Sequence, residues 1–244
     1  MVAQPARPAF YSPGRGGRLG DLVTLLHPPY TLWHLSYFAL GAGVAPHVHL
    51  DRLLWGLAAF ALAVGVAAHA FDELNGRPLG TGFAETTLRV AAAVSLLGAL
   101  AIGVAGIAIV SPWLAPFVVV GALFVPAYNL ELAGGRFHSD TWFALGWGAF
   151  PALTGCFANA LEVTPAGVLV AAGCMALSVA QRRLSTAARE LRRRTAVVHG
   201  VRETTDGRSE PLTVAGLLAP LDGALAALSL AVPLLAVALL AVRL

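Results

Sequence analysis

A chain of 244 residues that is 57% hydrophobic and 12% charged, with a mean hydropathy of +0.74, is not a soluble domain, which carries about 25% charged residues. Its 16 basic residues are all arginine, against 13 acidic ones, and they follow the loops instead of interleaving with aromatics, so no nucleic-acid partner is implied. Cys156 and Cys174 lie in apolar segments without metal-ligand spacing and read as small core residues.

Residues 1–27 read as a cytoplasmic tail and lead-in segment. Pro5, Pro8, Pro13 and the glycines at 14, 16, 17 and 20 predict a loosely attached stretch with no apolar core of a cleavable leader. The remainder, 28–244, reads as one transmembrane domain. Apolar runs of about 20 residues are what a helix needs to cross the hydrocarbon. Seven predicted spans cover 31–45, 53–71, 86–110, 113–130, 141–161, 166–180 and a last one from about Gly223. Pro220 and Asp222 divide that last span from a short surface helix before it. The sixth continues as a helix into the arginine-rich stretch 181–194, and 199–211 is a polar loop. The small pair in Gly41-Ala42-Gly43 predicts close helix packing.

With the amino end inside, fourteen arginines fall on the cytoplasmic side and two, Arg52 and Arg243, outside. That orientation predicts an integral protein of a bacterial inner membrane. It also gathers the ends of the even-numbered spans on one face: His69, Asp72 and Glu73; then Tyr128, Asn129, Glu131, His138 and Asp140; then Gln181, Arg182 and Arg183. Carboxylates and guanidinium groups on one membrane face can hold a divalent cation and a polyphosphate over apolar helices. The plain alternative is that every loop end of a membrane protein is polar.

The most informative run is His69-Ala70-Phe71-Asp72-Glu73-Leu74-Asn75-Gly76-Arg77-Pro78-Leu79-Gly80-Thr81-Gly82. On a helix His69, Asp72 and Glu73 share a face. An imidazole and two carboxylates there point to a site, because ionisable groups inside a membrane are costly. The plain reading is a helix ending in solvent, its acids paired with Arg77.

Asp72 followed by Arg77-Pro78-Leu79 resembles, in shortened form, the first Asp-rich motif of the UbiA-type membrane prenyltransferases. Pro28-Pro29-Tyr30-Thr31 loosely matches the start of that family's first helix, and Tyr128-Asn129 through Trp147-Gly148-Ala149-Phe150-Pro151 resembles its fourth-to-fifth connection. The similarity spans about residues 28–194. It implies an all-α UbiA-like bundle that transfers a prenyl group from a prenyl diphosphate to an aromatic or lipid acceptor. By that resemblance Asp72 and Glu73 hold Mg2+, Arg77, Asn129, Tyr128, Arg182 and Arg183 bind substrate, and Asp72, His69 and Asp140 serve the chemistry. The chain departs from the pattern where a second Asp-rich motif belongs: Ser178, Gln181, Arg182, Ser185 and Arg189 stand there instead, and the family's nine spans are about seven. A catalytically inactive protein of the same fold, binding an isoprenoid or a partner membrane enzyme, is therefore the alternative. A seven-helix zinc hydrolase fails on ligand count, since the last span has no histidine.

Overall fold

The computed structural model describes residues 9–12 and 17–244, so the tail predicted at residues 1–8 and 13–16 lies outside it. Helix α1 (Gly17–Leu26) leads through His27 into α2 (Pro28–Gly43). Pro28 and Pro29 sit in the first turn of α2, where a missing N–H leaves no bond unmade, and His27 turns the chain with a left-handed backbone, φ 46°. Helices α3 (Leu50–Leu74), α4 (Glu85–Ile109) and α5 (Pro112–Asn129) follow. Helix α6 covers 140–160, capped where the Ser139 hydroxyl accepts from the Trp142 N–H. Helices α7 (Pro165–Arg194) and α8 (Val214–Arg243) are capped in the same way by Thr164 and Thr213. Between them Val201–Glu203 (β1) and Ser209–Pro211 (β2) pair as a short antiparallel hairpin where the sequence predicts only a polar loop.

This is an all-α integral membrane protein. Among the described residues five helices, α3, α4, α5, α7 and α8, are long and apolar enough to cross a bilayer, and only 11–33% of their most apolar windows is buried within the protein. The rest of that surface, such as Val94, Leu97 and Val104 on α4 or Leu230, Leu234 and Val237 on α8, faces outward and is stable only against lipid. Seven spans are predicted; the other two candidates, α2 and α6, differ in kind. Helix α2 has 16 residues and is the axis of the bundle, with Trp33 and Tyr37 fully buried. An internal helix can carry His34, Ser36 and Tyr37 because protein, not hydrocarbon, surrounds it.

Helices α2 and α6 touch backbone to backbone. A Cβ on Gly41 would lie 1.9 Å from the Ala152 carbonyl oxygen, and one on Gly155 would lie 2.0 Å from that of Phe38. The predicted break in the last span does not occur. Helix α8 runs unbroken through Pro220, which is exposed, and Pro233, which is buried against the bundle, where neighbouring groups can satisfy the carbonyl a proline frees.

Three helices contain π-helical stretches, Ala61–Ala68 in α3, Ala144–Ala149 in α6 and Glu190–Arg194 in α7. Such turns shift the register of the residues beyond them and cluster at functional sites. Here all three deliver side chains to the same end of the bundle.

Candidate functional site

A polar cavity of about 460 Å³ opens at that end. Its walls come from the ends of α3, α5 and α7, from the start of α2, and from residues 9–11, which lie outside the bundle helices. Asp72 faces it one turn beyond the π-helical part of α3, beside His69. Helix α5 ends at Tyr128 and Asn129, and left-handed Glu131, Ala133, Gly134 and Gly135 then turn the chain so that the His138 ring stacks on Tyr128 at 4.6 Å.

Histidines line the cavity with a common tautomer. His34 donates from Nδ1 to the Trp147 carbonyl at 2.8 Å, His69 to that of Gly65 at 3.1 Å, and His138 to that of Tyr128 at 3.1 Å. A carbonyl only accepts, so each Nδ1 bears the hydrogen, which in the neutral ring leaves the lone pair on Nε2. His27 stacks on His69 at 4.5 Å and is tied through Nδ1 to the Tyr11 hydroxyl. Burial holds the His27 imidazole well below its ordinary pKa, with His69 adding to the effect, so it is neutral at pH 7. Burial likewise pushes the Tyr11 hydroxyl up.

The arginine wall belongs to α7. Arg182 reaches the cavity with its guanidinium 5.2 Å from the centre of the Phe143 ring and 2.9 Å from Asp140. Arg189 and the consecutive Arg192, Arg193 and Arg194 follow, and Arg192 is gripped from behind by Asp222 of α8. Below the cavity, α3, α4, α5 and α6 enclose an apolar groove of about 560 Å³. Val64 and Trp147 line both spaces.

Of the residues singled out from sequence, His69, Asp72, Tyr128, Asn129 and Arg182 line the cavity. Four do not. Glu73, fully buried, lies on the other side of α3: its Oε1 accepts from the Thr81 N–H at 2.7 Å and hydroxyl at 2.8 Å, and its Oε2 from the Leu79 N–H at 3.0 Å. It organises the loop after α3. Arg77, left-handed at φ 54°, donates to the carbonyls of Thr81 and Phe83 and closes the same loop. Arg183 is exposed one position around α7 from the cavity face. Asp140, 77% exposed, stands behind Arg182 as its ion-pair partner.

Sequence reasoning missed His27, His34, Arg189 and Arg192 to Arg194 as site residues. The arginines carried a legible signal, because positions 182, 189 and 193 recur on one helical face. His27 and His34 carried none: long-range folding alone brings them beside His69. Among the described residues no group of three or more His, Cys, Asp or Glu side chains is spaced to hold a metal ion. The chain matches no family model, no curated protein and no solved structure.

Proposed function

We propose that this protein is a UbiA-like membrane prenyltransferase, moving a prenyl group from a prenyl diphosphate to an aromatic or lipid-like acceptor. The observation that carries the reading is the pairing of an arginine-walled polar cavity with an apolar groove through the shared residues Val64 and Trp147. That is the shape of an anionic head on a long hydrocarbon tail. Arg182 and the arginines after it neutralise the diphosphate as it leaves. Trp147, Phe143 and Tyr128 give the cavity aromatic walls that suit an allylic cation. His69, with a bare Nε2, takes the proton the acceptor gives up.

The resemblance also implies Mg2+. With Glu73 committed to its loop, Asp72 is the carboxylate on the α3 wall, which suits one ion drawing most of its ligands from phosphate oxygens but gives no ligand set for a second. Such an ion would polarise the bond to the leaving diphosphate. We further propose that α2 and α6 also cross the membrane, for seven spans, with the arginine-rich end in the cytoplasm of a bacterial cell. The arginine distribution supports that orientation.

Turnover of prenyl diphosphates by the purified protein in lipid, compared with Asp72→Asn, tests the proposal. Expected is product formation that falls by at least about 100-fold in the variant, with an unchanged melting temperature. The thinness of the carboxylate set favours a second reading, a non-catalytic isoprenoid binder. Saturable binding with no product from any acceptor selects it.

A further inference from the structure

The proposed prenyl diphosphate leaves open how a cavity with so few carboxylates holds so much negative charge. Among the described residues, five arginines line the cavity: Arg182, Arg189, Arg192, Arg193 and Arg194. Asp140 pairs with Arg182, Asp222 with Arg192 and Glu190 with Arg194, and Arg193 has a partner of its own as well. Arg189 instead meets the Thr186 hydroxyl at 3.0 Å and lies within electrostatic reach of Arg182, Arg193 and Asp72. Like charges so gathered repel one another, and the arrangement is relieved when an anion enters.

Two buried polar atoms on the same walls point to what enters. The hydroxyl of Tyr128, a residue 4% exposed, and Nε2 of His27 have no hydrogen-bond partner among the described residues. A buried polar atom left so costs about 1–3 kcal/mol, and a ligand oxygen removes that cost. Planar guanidinium groups match phosphate oxygens two at a time, which a lysine-rich site does not. The arginines also stand on the stretch of α7 where the resemblance calls for metal-binding aspartates.

We infer that the arginines of α7 take the place of a metal in this site: Arg189 and Arg193, with Tyr128, grip the diphosphate directly, and binding requires no divalent cation. This rests on the prenyl diphosphate reading. The test uses the full chain in phosphatidylcholine nanodiscs, titrated with inorganic pyrophosphate and with geranylgeranyl diphosphate, in EDTA and in Mg2+. Expected are dissociation constants in EDTA within about threefold of those in Mg2+, weakened by at least about tenfold in Arg189→Gln and in Arg193→Gln. Arg183→Gln, off the cavity, leaves them unchanged. The ligand-free melting temperature of Arg189→Gln does not fall, because a like charge has been removed. Arg189→Lys recovers only part of the affinity.

Binding seen only with Mg2+ and indifferent to the arginine variants overturns the inference while leaving the prenyl diphosphate reading in place. No binding of either probe in either condition removes both. A third arm replaces phosphatidylcholine with phosphatidylglycerol: unchanged pyrophosphate affinity supports a soluble diphosphate as the ligand, and displacement by the headgroup overturns it.

Discussion

Glu73 and Asp72 are adjacent acids with opposite duties, and a substitution series at Glu73 separates them. The Glu73 carboxylate is 0% exposed and accepts three hydrogen bonds, from two backbone N–H groups and one hydroxyl of residues 79–81. Glu73→Ala strands those donors. At about 1–3 kcal/mol for each buried donor left without a partner, and with some regaining water, the expected loss is about 3–6 kcal/mol. Glu73→Gln keeps one acceptor oxygen and turns an N–H2 toward an N–H, for about 1–3 kcal/mol. In a chain of this size each kcal/mol moves the melting temperature by about 2–4 °C. Thermal unfolding in detergent or nanodiscs, followed by helical signal, measures the shift, and limited proteolysis should show cleavage within residues 75–84 of the variants. The shifts should be the same with Mg2+ or EDTA. A Glu73→Ala protein within about 1 kcal/mol of wild type, or a loss seen only when Mg2+ is present, refutes the loop role and returns Glu73 to the metal.

Other expectations follow from the same structure. His27 is buried neutral with its pKa depressed, so the unfolded chain takes up a proton first as the solution is acidified. The stability it contributes is whole above about pH 6.5 and is lost as pH falls toward its folded pKa; melting curves at pH 7.5 and 5 should show that loss, and His27→Asn, which accepts the left-handed backbone, should show less of it. Gly41→Ala drives a methyl into the Ala152 carbonyl and should destabilise by about 1–3 kcal/mol or more, whereas Gly173→Ala, with nothing within 4 Å of its Cβ, should stabilise α7 by about 0.5–1 kcal/mol in the same unfolding assay. In the apolar groove a Cβ at Gly121 fits at 3.7 Å from the Phe150 ring, so Gly121→Leu fills the space without breaking the fold. Turnover measured with geranyl against geranylgeranyl diphosphate should then shift toward the shorter chain, and an unchanged ratio places the tail elsewhere.

Membrane residence and helical class were legible in composition and run length, because the bilayer admits few solutions: an apolar stretch of sufficient length must close its own backbone hydrogen bonds. The convergence of the polar ends of α3, α5 and α7 was legible too, since helices joined by short connections run up and down and return every second end to one side. Which side chains then look inward was not. Glu73 differs from Asp72 by one position, and only the loop at 79–81, folding back to meet it, turns it out of the cavity. The π-helical turns break the 3.6-residue count on which any face assignment depends, and they lie just before His69 and Asp72 in α3, around Trp147 in α6 and across Arg192 to Arg194 in α7. His27 and His69 are 42 positions apart in the chain and stack ring on ring. Sequence alone determines what must be buried in lipid, since transfer energy is a local property of each segment. Contacts between distant segments were decided by tertiary structure, since a contact belongs to no single stretch of chain.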